Sequence, residues 1–304
     1  MKVLITGGTG LLALNWACAV RDTHEVVLAT HRRKVTLART TATALPLDDR
    51  HALAKALQAL RPDVVVHTAG ITSVEECERD EALARHVYVD LSRNVAEAAN
   101  VLGAAFVYIS TDHLFRGTRA MHTEDAPPQP VNAYGRVKLL SEAAVAEAHR
   151  DALILRTNFF GWGHRYRRSF SDWIYYSLLE GRTITMFDDV FVTPLHADRL
   201  ALAAHRLLDS RANGIYNVVG DERVSKYDFA VRLAEAFGLP KALVQRGKIA
   251  ASKLFVTRPP DMSLDNRKAR ERLGTSLGEL AEHLRLLRQQ CADRRGELLA
   301  AVTE

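Results

Sequence analysis

The chain has 304 residues, 47% of them hydrophobic, and carries 41 Lys and Arg against 36 Asp and Glu for a net charge of +5. That length and apolar content allow one large domain, or a nucleotide domain with an appendage, and exclude a disordered chain. Basic residues are spread along the sequence apart from HRRK (31–34) and HRYRR (164–168), Cys18, Cys77 and Cys291 form no CxxC pair, and no 18-residue apolar run or leader pattern occurs. These features point to small anionic ligands in a reduced cytoplasm and away from nucleic acid, a disulfide framework, a zinc site or a membrane.

KVLIT reads as a buried strand and a helix is expected from about Leu11. Between them, TGGTGLLA (6–13) puts Gly7 and Gly10 at a strand-to-helix turn. Glycine there permits a tight turn and lets a pyrophosphate approach the backbone N–H groups of the helix start, so Gly7, Thr9, Gly10, Leu11 and Leu12 are candidate dinucleotide contacts. EVVLAT is the second strand. Where it ends, an NAD-preferring site usually carries Asp or Glu. This chain has Thr30, His31, Arg32 and Arg33, a set suited to a 2′-phosphate; the alternative is an ordinary solvated basic turn.

A helix is expected from about Asp49, then the strand DVVVHTA, helices over 74–85 and 88–102, the strand AFVYIST, a helix from near Asn132 and the strand ALILRTN. Apolar strands alternating with helices predict an α/β fold, a doubly wound parallel sheet of Rossmann type with ligands at the carboxyl ends of its strands. In NAYGRVK (132–138), Tyr134 and Lys138 stand at i and i+4 and share one helix face. A cation near a phenol favours its ionised form, so the pair can act on one ligand, although Tyr and Lys at this spacing also occur on solvated faces.

Past Asn158 the pattern loosens into FFGWGHRYRRSFSDWIYY, a strand near GIYNVVG, a helix over 225–237 and a mostly helical C-terminus. There, Leu280, Leu284, Leu287 and Leu298 are expected to bury either within the chain or across a homodimer. The expected organisation is a dinucleotide-binding domain over 1–158, with returning segments near 191–220, and a smaller interleaved substrate-binding lobe over 159–190 and 221–304.

In their order and spacing, TGGTGLLA, HTAGIT (67–72), YISTDHLFRG (108–117), TEDAPPQPVNAYGRVK (123–138), ILRTNFFG (154–161), FVTPLHADRLA (191–201) and RPPDMSLD (258–265) resemble the extended short-chain dehydrogenases/reductases, and within them the dTDP-4-dehydrorhamnose reductase-like group. The resemblance implies that Tyr134 and Lys138 are the YxxxK pair and Thr111 the third catalytic position. It implies a reductase using NADP(H) in preference to NAD(H), with a nucleotide-activated 4-keto-6-deoxyhexose as substrate and hydride delivered to its C4 ketone. Tyr134 then donates the proton, Thr111 hydrogen-bonds the same oxygen, and Lys138 holds the nicotinamide ribose while easing ionisation of the phenol.

By the same resemblance, Ala69 and Gly70 form the wall beside the cofactor ribose, or pack tightly and no more. Phe159 stands where the family often has a tryptophan and packs either on the substrate or in the core. Arg258, like the arginine of the related epimerases' RPxD element, clamps a diphosphate or makes a surface ion pair. Asp112, beside Thr111, is counted with the substrate contacts, and it and Glu124 order loops or cap helices. Two positions depart from the pattern. Pro46 stands where many relatives carry an adenine-contacting Asp, which leaves backbone contacts near Leu47 and Asp48, and Asp90 stands where an Asn is common. His113, His164 and His196 lack ligand-like spacing, so no metal is expected. Two other readings of the scaffold are an epimerase or dehydratase, for which Asp112 supplies only half of the usual acidic pair, and a non-catalytic NADP-binding subunit like the beta subunit of methionine adenosyltransferase.

Overall fold

Seven short strands form one parallel sheet in the computed structural model, which describes residues 1–71, 73–252 and 255–304. Thr72, the last residue of HTAGIT, lies outside the described residues. The strands are β1 (Lys2–Thr6), β2 (Glu25–Thr30), β3 (Thr40–Ala44), β4 (Val64–His67), β5 (Ala105–Ile109), β6 (Leu153–Arg156) and β7 (Gly214–Asn217). Their order across the sheet is 3-2-1-4-5-6-7. The chain runs outward from β1 to one edge and then returns to the other side of β1, so a crevice opens between the carboxyl ends of β1 and β4.

Side-chain alternation sends each strand's residues to two helical layers. Val3, Ile5, Val64, Val107 and Leu153 face α1 (Leu11–Val20), α6 (Ala197–Asp209) and α8 (Leu280–Asp293). Leu4, Val27, Val65, Phe106 and Ile154 face α2 (Arg50–Leu60), α3 (Leu91–Leu102) and α4 (Ala133–Ala148). Two further helices, α5 (Phe170–Leu179) and α7 (Lys226–Phe237), pack against each other outside the sheet. This is the doubly wound α/β arrangement that the strand pattern predicts.

Local side-chain bonds set where the helices start. Asp49 caps α2 by accepting from the N–H groups of His51 (3.0 Å) and Ala52 (2.9 Å), and Asn132 caps α4 by accepting from Gly135 (2.9 Å). The helix expected over 74–85 instead breaks at Asp80, whose carboxylate accepts from the Leu83 N–H (2.8 Å) and so starts a second helix. A π-helical turn over His86–Asp90 then leads into α3. Strand β3 escapes the sequence reading because TTATA has no apolar run; it lies at the sheet edge and none of its residues is buried.

The C-terminal leucines resolve to burial within the chain: Leu280, Leu284, Leu287 and Leu298 are all at most 2% exposed. The C-terminus closes on the first half of the molecule. Val302–Thr303 pairs antiparallel with Lys34–Val35, and Glu297 accepts from Arg21 Nη1 (2.6 Å) and Nη2 (2.8 Å). No helix of the described residues is long and apolar enough to cross a membrane.

One buried ion pair ties the sheet to α4. The carboxylate of Glu142 accepts from Arg156 Nε (3.0 Å) and Nη2 (2.8 Å), and also from the Ser110 hydroxyl. The third arm of Arg156 donates to the Glu124 carbonyl (3.2 Å), while the Glu124 carboxylate accepts from the Asn217 N–H (2.8 Å). Glu124 thus orders a loop and does not cap a helix. Removing one partner of such a pair strands a buried charge. Glu142→Gln is therefore expected to cost about 3–5 kcal/mol in urea unfolding; a loss below about 1 kcal/mol would mean that Arg156 finds compensation elsewhere.

Candidate active site

The crevice between β1 and β4 deepens into a cleft of about 660 Å³. Its floor is the glycine loop. Gly7 has φ +68°, and a Cβ there would lie 2.8 Å from the backbone of Ala69, so the turn admits only glycine. Gly10 occupies the N-cap of α1 without a side-chain cap, which leaves the first amides of that helix to a ligand. Across the crevice, Thr6 Oγ1 bonds His67 Nδ1 (2.8 Å), and the Thr68 hydroxyl donates to the Thr6 carbonyl (2.7 Å), which fixes the spacing of the two strand ends. The cradle fits a dinucleotide.

Thr9, Gly10, Leu11, Leu12, Ala69 and Gly70 line this cleft together with Tyr134, Lys138 and Phe159. Gly70 lies against the ring of Tyr88, which any side chain at 70 would strike. The Tyr88 hydroxyl donates to the Ile71 carbonyl and holds that wall in place. Of the basic residues after β2, Arg33 reaches the cleft, and its guanidinium stacks 4.7 Å from the centre of the Tyr166 ring. His31 and Arg32 are exposed and lie outside the lining, and the Thr30 hydroxyl is directed to the Thr43 carbonyl (3.4 Å). Leu47 and Asp48 are occupied elsewhere: Asn94 Nδ2 donates to the Leu47 carbonyl (3.0 Å), and Asp48 pairs with His86 (2.7 Å). The same His86 approaches Asp90 (3.3 Å), which raises the imidazole pKa further in the direction set by Asp48.

Tyr134 projects from the first turn of α4, edge-on to the rings of His113 (5.4 Å) and Tyr88 (5.9 Å). Thr111 and Asp112 come from the loop after β5. The Thr111 hydroxyl donates to Asp112 Oδ1 (3.2 Å), and Asn158 Nδ2 donates to Asp112 Oδ2 (2.6 Å). Arg258 does not line the cleft; its guanidinium pairs with Glu75.

Lys138 is turned inward. Its ammonium donates to the Tyr108 hydroxyl (2.7 Å) and the Ile109 carbonyl (2.6 Å), leaving one donor free, and lies 4.2 and 4.7 Å from the Tyr108 and Tyr88 ring centres. Burial pulls its pKa down to about 7, against the attraction of Glu142. Burial also pushes the Tyr134 phenol up to about 12, with the neighbouring Thr111 hydroxyl acting in the opposite direction. Desolvation is the largest influence on both groups and moves the phenol away from ionisation. Asp112 is likewise pushed up to about 6 by burial.

Residues that the sequence reading passed over also line the cleft, among them Ser110, Tyr88, His164, Arg167 and Arg168. HRYRR is visible as a basic cluster, but nothing in its spacing says that it faces the glycine loop. Lys226, at the start of α7, has no ion-pair or hydrogen-bond partner for its ammonium among the described residues. Burial and Arg258 lower its pKa, with Asp112 opposing, which places it in the same charged neighbourhood. Among the described residues no cluster of three or more His, Cys, Asp or Glu is placed to hold a metal ion.

The family described as RmlD substrate binding domain matches residues 1–292. The dTDP-4-dehydrorhamnose reductase of Burkholderia thailandensis is 31% identical, with 91% of this chain and 94% of that protein covered. Methionine adenosyltransferase 2 subunit beta of Pongo abelii is also 31% identical, over 88% of this chain and 81% of that protein. Among solved structures, dTDP-4-dehydrorhamnose reductase from Bacillus anthracis in complex with NADP superposes with a TM-score of 0.84 at 23% identity, covering 95% of this chain and 99% of that one.

The raised Asp112 pKa gives a test with a definite sign. Its folded value lies above that of the unfolded chain, so this group favours the fold most below the ordinary carboxyl pKa of 3.8, and that stability is lost as pH rises through about 6. Asp112→Asn removes the titration while keeping an acceptor for Asn158. The Tm of the variant relative to the parent should therefore climb between about pH 4 and 6 and level off above; a difference that stays flat over this range would show that Asp112 is ionised throughout.

Proposed function

The chain belongs to the RmlD substrate binding domain family, and from that premise we propose that it is an NADP(H)-dependent reductase of a nucleotide-activated 4-keto-6-deoxyhexose. The observation that carries this reading is the gathering of Tyr134 and Lys138, with the Thr111 loop beside them, over a cleft floored by the glycine loop. In this reading residues 1–158 with 191–220 carry the cofactor, and 159–190 with 221–304 carry the sugar nucleotide. The relative solved with NADP supports the choice of cofactor.

When bound, the reduced nicotinamide supplies the hydride. The chain's own residues position the ketone and manage the proton. Burial keeps Tyr134 protonated at neutral pH, so it is a ready donor to the oxygen on which negative charge develops. The Thr111 hydroxyl gives its single proton to Asp112, which Asn158 holds in place, and in this reading it turns from that carboxylate to the same substrate oxygen when the ketone is bound. Lys138 spends two donors on Tyr108 and Ile109 and presents the third to the cofactor ribose. Arg258 and Lys226 supply the positive charge for a diphosphate, Arg258 by exchanging its Glu75 partner for the ligand.

The match to the methionine adenosyltransferase subunit motivates a second reading, a regulatory protein that binds NADP(H) without turnover. A panel of nucleotide 4-ketosugars assayed by NADPH oxidation separates the two. Reductase action requires turnover of at least one panel member; tight NADPH binding with no turnover of any would favour the regulatory reading.

Given a substrate, Tyr134→Phe should lower kcat by about 10² to 10⁴-fold with NADPH binding retained, since the ring stays and only the acid is lost. Full turnover by this variant would remove Tyr134 from the chemistry. Arg258→Ala should raise KM for the sugar nucleotide by about tenfold or more and leave that for NADPH unchanged. Equal values for the parent and the variant would return Arg258 to the role of an ion-pair partner for Glu75.

A further inference from the structure

The turn over 164–168 faces the glycine loop from across the cleft, and its construction is rigid. His164 and Arg167 exchange both backbone hydrogen bonds (3.0 Å each). The base of the turn is pinned by one Asp172 carboxylate oxygen, which accepts from the N–H groups of Gly163 (2.8 Å) and Ser169 (2.7 Å). Tyr166 at the tip carries the stacked guanidinium of Arg33, a residue 133 positions earlier in the chain. His164 is only 1% exposed and sits where Thr9, Arg33 and Arg167 converge. Neither Arg33 nor Arg167 has a carboxylate partner among the described residues, and both line the cleft with Gly10 and Leu11.

Two unpaired guanidiniums at the mouth of a cleft repel each other. Their concentration here is explained by an anion that both approach. Arg33 follows β2, where the adenosine ribose of a dinucleotide lies in this strand order, whereas Arg167 stands near Thr9 and the start of α1, where the pyrophosphate lies. We propose that the 164–168 turn is the second jaw of the cofactor-phosphate site: Tyr166 holds the Arg33 guanidinium for the 2′-phosphate, and Arg167 contacts the pyrophosphate opposite the amides of Leu11 and Leu12. The cofactor thereby bridges two segments that are distant in sequence, and discrimination for the 2′-phosphate depends on the turn as well as on the arginine. This inference rests on the cofactor reading above.

The test is equilibrium titration of the full chain with NADPH and with NADH, followed by fluorescence and independent of any turnover. Tyr166→Leu should weaken NADPH by about three- to tenfold and spare NADH, because only the 2′-phosphate contact loses its support. Arg33→Lys, at an exposed position where the fold is not at risk, should do the same, since an ammonium neither stacks on the ring nor offers a planar fork. Arg167→Gln should weaken both cofactors by about tenfold, the pyrophosphate being common to them. Binding of both cofactors at parental affinity by Tyr166→Leu and Arg167→Gln, with the parent itself binding NADPH, would overturn the proposal while leaving the cofactor reading intact. A parent that binds neither dinucleotide would overturn the cofactor reading, and this proposal with it.

Discussion

Buried positive charge is the constraint around which this site is organised. Lys138 and Arg156 both lie beneath the cleft, and neither is supportable there without partners. Glu142, one turn after Lys138 on α4, pairs with Arg156 in a two-point geometry and attracts the Lys138 ammonium from the same side. A shift of α4 by one residue would strand both cations. The helix register is therefore fixed at its interior by charge and at its start by the Asn132 cap, and Tyr134, on the first turn, inherits its position from both. The Ser110 hydroxyl on the same carboxylate extends that control to the loop carrying Thr111.

The chemistry follows from desolvation more than from direct contact between the two motif residues. Tyr134 and Lys138 share a helix face, as their spacing requires, yet the ammonium bonds inward to Tyr108 and Ile109. Low-polarity surroundings penalise whichever form is charged, so the phenol moves up and the amine moves down. In the proposed reaction this is a useful starting state for Tyr134, because a phenol that keeps its proton at neutral pH can act as a proton donor. Asp112 follows the same rule, held by Asn158 and Thr111 in a site that favours its neutral form.

The sequence by itself determined the parts that obey local rules. Continuous apolar, β-branched runs named most of the strands, the glycine at φ +68° marked the strand-to-helix turn, Asp49 and Asn132 marked helix starts, and Tyr134 and Lys138 were placed on one face by the pitch of the helix. Each of these depends on neighbours within a few residues, so the pattern carries it. Edge strand β3 is the local feature that stayed hidden, because an exposed Thr–Ala alternation leaves no hydrophobic period to read.

Only the tertiary structure decided what each charged or aromatic side chain meets. It set Arg33 on Tyr166, Arg258 on Glu75, Glu142 on Arg156 and the C-terminal leucines on the sheet, in most cases across more than a hundred residues of chain. It also decided the sign of the pKa shifts at Tyr134 and Lys138. Spacing along a helix reports proximity between two residues, whereas desolvation sums over every group packed around them, and that sum exists only once the chain has folded.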